Sequence, residues 1–446
     1  MSAQAPCPET PECSPSGMHD LAQRLFPICR SITGDGVRQT IRILQEYLPM
    51  LRMVEVPTGT QCFDWQVPEE WNISEAQLIA PNGRVIADFA VNNLHVVSYS
   101  EPVDLELSLE ELQPHLHSEP NLPEAIPYIT AYYKRNWGFC ITHQVRQNLP
   151  QGQYRAIIRS TLKKGHLTYG ELIIPGSTDR EVLLSTYICH PSLANNEISG
   201  PVVTTFLARY LQALPDRRCT YRIIFIPETI GAIVYLSQHL EHLKSHVIAG
   251  FVLSCVGDDR AYSYLESRLG NTLADKVAQH VLKHLQPDYV RYSYLKRGSD
   301  ERQFCWPGVD LPVCSVMRTR YGSYPEYHTS LDDLTVVTES GLQGALHVLR
   351  HCMDCLEQTL TYTTTVLCEP QLMRRQLYPT IGRKGIAAGS RVLVDIMAYS
   401  DGQHDLIDIA NILGRPAWEL FQAFETLHAH QLLSLPEAPP PTLAAA

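Results

Sequence analysis

The chain has 446 residues, 44% of them hydrophobic and 19% charged, with a formal net charge of -11. That length suits two to three domains with separate cores, and the composition is that of a soluble globular protein. The acidic balance argues against nucleic acid or an anionic membrane as the main partner, since phosphate binding needs clustered Lys and Arg, and no apolar run reaches the ~20 residues of a membrane helix.

Residues 1–17, MSAQAPCPETPECSPSG, have neither a basic n-region nor an apolar h-region. They read as a disordered lead-in and not as a secretory signal. The 13 Cys are odd in number and scattered, so reduced thiols in a cytoplasmic protein are expected. LAQRLFPICR and GVRQTIRILQEYLPML then carry apolar residues at helical spacing. Residues 61–153 read as short strands and turns, with Pro81–Gly83 (PNG) a turn between two strand runs. This stretch is expected to be a β-rich domain inserted into a discontinuous one made of residues 18–60 and 154–366.

From YRAIIRSTL onward the pattern alternates. EVLLSTYICH, YRIIFIPETIG, VIAGFVLSCVGDD and LPVCSVM are apolar strand candidates; GPVVTTFLARYLQAL, GAIVYLSQHLEHLKS and LADKVAQHVLKHL are helices. Such alternation predicts an α/β fold with a largely parallel sheet between helices. Cys352 and Cys355 form a CxxC inside a helical pattern, where buried thiols are a better reading than a structural zinc. Residues 367–435 contain three short amphipathic helices with tight turns, the winged-helix pattern, and 436–446 read as a disordered tail. The second of the tight turns leads into PAWELFQAFETLHAH, which carries Glu419 and Glu425 with Arg415 only at its start. A helix entering the major groove needs Arg, Lys, Asn or Gln outward, so docking to protein is expected there instead of DNA.

Ligands of open α/β sheets bind at the carboxyl ends of strands. That rule selects His190, Glu228 and the Gly257-Asp258-Asp259 turn, together with the loop Gly322–Leu334 that holds His328. Imidazole is a common zinc ligand, and a strand-end loop would hold it in place. Glu228 directly follows a buried strand, where desolvation would raise its pKa toward that of a general base. The blander reading of YHTSLDDL is a helix start, with Thr329 or Ser330 as cap and Asp332 and Asp333 in the first turn.

These segments, in this order, resemble the motifs of zinc aminopeptidases. YICHPSLANNEISG resembles the strand-end His followed by Asp-Asn-x-Ser-Gly, FIPETIG the Glu-Glu-x-Gly turn, SDERQFCWPGVDLP the stretch before the last core strand, and EYHTSLDD the Tyr-His-Thr turn of the last His ligand. FDWQVPEEWNI, NLHVVSYSEPVD, WGFC and CVGDDRAYSY add a resemblance to a bacterial aminopeptidase-like family often linked to polysaccharide biosynthesis. It covers about Asp20 to Leu433. The resemblance implies a zinc-exopeptidase-like mixed sheet sandwiched by helices, an inserted β-rich domain and a C-terminal winged helix. It also implies a small peptide-like or aminoacylated substrate, with Glu228 as general base.

Three ligand positions depart from the ordinary pattern. Asn196 stands at the bridging Asp, Thr229 at the second Glu, and Cys255 at a later Asp, with Asp258 and Asp259 close behind. Two zinc ions need a bridging carboxylate and further negative charge. One zinc is therefore expected, held by His190, His328 and a carboxylate, with Glu197 the candidate and Asn196 the weaker option. Asp300 and Glu301 are expected near the site, holding an α-amino group or supporting the His ligands, and Arg302, Tyr324 and Tyr327 to bind a carboxylate or oxyanion. A retired scaffold that binds without turnover, or an amide-processing biosynthetic enzyme, are the alternatives. Monomer and homo-oligomer both stay open.

Overall fold

The computed structural model describes residues 15–377 and 387–435. The lead-in lies outside these residues except for 15–17, which open the first helix, and the tail lies wholly outside them. By internal contacts the chain divides into two compact units. One takes in the described residues up to Asp275 together with Tyr289–Leu349; the other takes in Lys276–Asp288 and the described residues from Arg350 onward.

The first unit is built on an eight-stranded sheet. Its strands are β1 (Arg52–Pro57), β2 (His166–Ile174), β3 (Glu181–Tyr187), β4 (Thr220–Ile226), β5 (Val247–Val252), β6 (Ser263–Leu265), β7 (Val290–Tyr292) and β8 (Val313–Met317). The order across the sheet is β1-β2-β4-β3-β5-β8-β6-β7. The central strands β4, β3, β5 and β8 run parallel. The pairs β1–β2, β2–β4 and β8–β6 are antiparallel, so the sheet is mixed. Every residue of β3 and β8 is buried, which requires cover on both faces and explains why these segments read as unbroken apolar runs. The three-residue strands β6 and β7 are too short to leave a pattern in the sequence.

Helices α1 (Pro15–Leu25), α2 (Asp35–Tyr47), α3 (Ser199–Ala213) and α4 (Ile230–His246) belong to the same unit. In α2, Val37, Thr40, Ile41 and Leu44 are buried at i, i+3, i+4, i+7 spacing, the stripe a surface helix presents to a core. Helices α3 and α4 follow β3 and β4, and the short connections between them carry the candidate site.

A second sheet, of four antiparallel strands, has the order Val85–Asp88, Glu70–Ile79, Gln153–Lys163, Val103–Ser108. The PNG turn joins the first two in space, with Gly83 at φ 82 donating its N–H to the Ala80 carbonyl at 2.9 Å. YRAIIRSTL, expected with the α/β alternation, pairs here instead of in the central sheet. Its burial alternates along most of its length, as a strand with one covered face requires. Leu78, Phe139, Tyr154 and Ile158 are fully buried in a core belonging to this sheet.

The second unit contains helices Ala387–Tyr399, Leu406–Leu413 and Phe421–Ala429, as the sequence pattern predicts. It also holds a three-stranded antiparallel sheet of Asp401–Asp405, Thr361–Thr364 and Leu433–Ser434, which the helical reading missed. Two to five residues per strand are too few for alternation to show. The helix Leu406–Leu413 is bounded by a capping box between Asp405 and Asp408 and by Gly414 in the left-handed conformation. Cys352 and Cys355 are buried in the helix Glu339–Gln358.

Candidate active site

Parallel pairing sets Tyr187 of β3 beside Ile226 of β4, so the two chains leave the sheet side by side. His190 lies three residues beyond the first and Glu228 two beyond the second. The Ile188 N–H still bonds the Ile226 carbonyl at 2.9 Å, which keeps the exits in step. Before α3 the chain makes one π-helical turn, Ala194–Ile198, whose five residues are all buried. Such turns put an extra side chain on one face and often mark functional sites. Here the turn supplies Asn195, Asn196 and Glu197.

The His190 Nδ1 faces Glu197 Oε2 at 2.7 Å, and its Nε2 lies 3.5 Å from Glu228 Oε2. Behind Glu197 sits Arg30, buried like its partner, with Nε 3.5 Å from Oε1. Arg30 Nε also donates to the His190 carbonyl at 3.1 Å. Burial works to lower the His190 pKa, but the Glu197 carboxylate together with Glu228 outweighs it and the net shift is upward. Cys189, His190 and Glu197 offer three ligand-type atoms within 4.8 Å of one another. The 2.7 Å separation of Nδ1 and Oε2 is nevertheless that of a hydrogen bond. Two ligands of one tetrahedral zinc, each about 2.0–2.1 Å away, would stand roughly 3.3 Å apart. Glu197 therefore orients the imidazole from behind and turns Nε2 to the cavity. Burial pushes the Cys189 thiol well up, and its sulfur takes the Glu228 N–H at 3.1 Å, so it is held as a neutral thiol.

His328 reaches the same place from the loop after β8. Its ring centroid is 5.5 Å from that of His190, and its Nε2 is 3.1 Å from Asn196 Oδ1. Tyr327 stacks on it at 3.9 Å, and Tyr128 lies edge-on to both imidazoles, 5.2 Å from each. Burial, helped by the nearby His190, lowers the His328 pKa to about 3, which keeps the ring neutral and able to ligate. The inserted segment fixes this loop. Tyr128 N–H bonds the His328 carbonyl at 2.9 Å, and Ser330 N–H bonds the Ile126 carbonyl at 2.9 Å.

The expected helix start at 329–333 does not form, since the next helix begins at Glu339. Asp332 is fully buried and accepts the N–H groups of Asn195 at 2.7 Å and Asn196 at 3.0 Å and the hydroxyl of Tyr324 at 3.0 Å. It thus clamps the π turn. Burial raises its pKa to about 6 against those donors. Tyr324 is consumed by this contact. Asp258 is also occupied, by Asn195, Thr319 and the Arg260 N–H. Cys255 is buried, with Asn196 Nδ2 3.8 Å from its sulfur.

Asp300 and Glu301 separate. Asp300 accepts the Thr229 N–H at 2.7 Å while its Oδ2 is buried without a hydrogen-bond partner. Burial, then the charge of Glu228, pushes its pKa well up. Glu301 instead accepts Gly298 N–H, Ser299 N–H and Tyr321 hydroxyl at 2.7–3.0 Å, which holds the turn together away from the cavity. Arg302 donates to Thr229 Oγ1 and stands 3.7 Å from Glu228 Oε1. Burial raises the Glu228 pKa, with His190 and Arg302 pulling the other way. His190, Glu228, Arg302 and His328 line one cavity of about 750 Å³, walled by Trp65, Tyr128, Tyr132 and Tyr133 of the insertion. Arg30, Tyr128, Trp65 and Asp332 were missed as site residues. Only the aromatic richness of the insertion hinted at any of them.

The sheet order and strand-end site define an aminopeptidase-like α/β fold. A zinc aminopeptidase from Bacillus subtilis superposes with a TM-score of 0.56 at 13% identity, over 77% of this chain and 95% of that one. An aminopeptidase from Aneurinibacillus sp. strain AM-1 gives a TM-score of 0.50 at 14% identity, over 78% and 94%. The chain belongs to the family described as domain of unknown function DUF4910, whose model matches residues 19–359, and residues 360–435 match a winged helix-turn-helix family. A Clostridium acetobutylicum protein is 41% identical over 94% of this chain and 96% of its own length, and is provisionally named a polysaccharide biosynthesis protein with aminopeptidase-like domain. A crystal structure of a provisionally assigned peptidase from the same organism has a TM-score of 0.88 and 39% identity, covering 96% of this chain and 98% of that one. Among the described residues, no helix is long and apolar enough to cross a membrane.

Proposed function

We propose that this chain is a zinc-dependent aminopeptidase-like hydrolase that cleaves an amide bond of a small peptide-like or aminoacylated substrate. The observation that carries this reading is the convergence of His190, His328 and Glu228 on one cavity, with the two imidazole centroids 5.5 Å apart. The donors suit a single zinc. His190 Nε2 and His328 Nε2 would hold it, with Asn196 Oδ1 beside the latter. The buried Asp300 Oδ2, which has no hydrogen-bond partner, is a carboxyl oxygen left over in the neighbourhood of Glu228. When bound, the metal would acidify a water and polarise the scissile carbonyl.

The rest is done by the chain. Glu228 takes a proton from the attacking water and returns it to the departing amine, and its raised pKa suits both halves of that task. Burial keeps that pKa high, with repulsion from Glu301 and Glu197 adding to it. Arg302, at the cavity edge, suits a substrate carboxylate or carbonyl. Glu197 and Arg30 hold the His190 ring, and Asp332 holds Asn196. The aromatic wall from the insertion limits the cavity to small substrates. The name of the Clostridium relative supports placing the reaction in polysaccharide biosynthesis. The helix Phe421–Ala429 carries Glu425 and no Lys or Arg, which supports protein docking over DNA binding.

A binding scaffold without turnover is the second reading, favoured by Asn196, Thr229 and Cys255 at positions where carboxylates are expected. One experiment separates them: metal content of the purified protein, and hydrolysis of aminoacyl amides with and without added zinc, for wild type and Glu228→Gln. Metal retained by both and hydrolysis reduced by about 10²–10⁴-fold in the variant supports the enzyme. Metal-free protein, or a rate indifferent to Glu228→Gln, sinks it.

A further inference from the structure

Trp65, Arg302 and Gln303 form one side of the catalytic cavity. These three residues also line a second cavity, of about 620 Å³, which therefore lies directly beside the first. The floor of the second cavity is Ile233, Leu236 and Leu240, one face of α4. Its sides are the rings of Phe63 and Trp306, which are 54% and 56% exposed.

Phe63 occupies the tip of the two-residue hairpin between Gln61–Cys62 and Trp65–Gln66, at φ 52. Left-handed backbone is costly for a bulky side chain, and hairpin tips ordinarily use Gly, Asn or Asp there. Burial does not offset that cost, since the ring is half in solvent. Strain of this kind concentrates where a side chain must be presented to a ligand. Trp306 is likewise a large ring left exposed on a short turn after the helix Glu301–Phe304.

Resting on the hydrolase reading above, we propose that this second cavity is a substrate subsite for an apolar group, an alkyl or aryl chain attached to the amide that is cut. The three shared lining residues set the two cavities side by side, so that one molecule would span both. Asp64 and Arg297 also line this cavity, but its floor is aliphatic and favours hydrocarbon over a hydroxylated ring, which would find no partners on Ile233, Leu236 and Leu240. Arg302 and Gln303 stand at the junction, where the polar linkage of such a substrate would lie.

The test uses the full-length Glu228→Gln protein, so that nothing depends on turnover, and measures the affinity of glycinamide, N-hexylglycinamide and a glucosyl-linked glycinamide by calorimetry. The hexyl chain is expected to tighten binding at least tenfold over glycinamide. Trp306→Ala and Phe63→Asn, the latter suited to the left-handed backbone, are each expected to remove most of that gain and leave glycinamide binding unchanged. No gain from the hexyl chain, a gain that survives both substitutions, or a larger gain from the glucosyl group overturns the assignment. Failure of the hydrolase reading would show separately, as wild-type protein that binds these amides without cutting them.

Discussion

Replacing Glu197 by Gln removes one negative charge from a place where a buried guanidinium and an imidazole N–H both depend on it. Arg30 and Glu197 are both almost wholly buried, and Glu197 also accepts from His190 Nδ1 at 2.7 Å. Glutamine keeps the shape and one acceptor oxygen, so the change isolates charge from packing. A buried pair broken on one side costs about 3–5 kcal/mol, because the partner left behind is an uncompensated buried ion. Part of that, about 1.5–3 kcal/mol, is the charge-assisted hydrogen bond to the imidazole. Urea unfolding followed by circular dichroism and tryptophan fluorescence reads the loss. The double change Glu197→Gln with Arg30→Met should recover at least half of it, because the stranded guanidinium is gone. A loss below about 1 kcal/mol in the single variant, or a double variant as unstable as the sum of the singles, would refute the view of Glu197 as a charged brace.

Other consequences follow from the same buried site. In the metal-free protein the folded-state pKa of His328, about 3, lies below its ordinary value of 6.5, so the folded state binds fewer protons than the unfolded chain between these limits. Its contribution to stability is therefore complete above pH 6.5 and is lost as pH falls toward 3, and His328→Asn should flatten that part of the acid limb in a pH series of unfolding midpoints. Asp332 acts in the opposite sense. Its pKa is raised to about 6, so protonation favours the folded state as pH falls from 6 toward 3.8, and Asp332→Asn should make the acid limb steeper. Gly200→Ala should destabilise the first unit by about 1–3 kcal/mol, since the new methyl would stand 2.4 Å from both the Leu253 carbonyl oxygen and Thr186 Oγ1. A thermal midpoint unchanged by that substitution would count against the close approach of α3 to the end of β5.

The strand ends were legible because long buried strands leave unbroken apolar runs, and the residue after each run is then marked by the fold itself. His190 and Glu228 follow from β3 and β4 in this way. His328 was legible from its motif. What each ring does with its two nitrogens was not, because a sequence does not say which way an imidazole turns. Glu197 is next to Asn196 in the chain, yet it faces the rear of His190 while Asn196 faces His328. Arg30 was out of reach for another reason, lying 160 residues from the histidine whose carbonyl it holds. Asp332 carried a correct chemical signal and a wrong address: a short acidic residue wanting backbone N–H groups, which it finds on the π turn and not on a following helix. Asp300 and Glu301 are neighbours with opposite surroundings, one with an oxygen left over and one fully hydrogen-bonded. No propensity distinguishes them. The strands Thr361–Thr364 and Asp401–Asp405 were missed because short strands between helices show no period.

Anomalous diffraction from crystals of protein purified without chelator tests the central claim most directly. One metal peak bonded to Nε2 of both His190 and His328, with Glu197 outside the coordination sphere, is the expected result. No peak at these imidazoles, or an ion seated between Cys189 and Glu197 on the far side of the His190 ring, would contradict it.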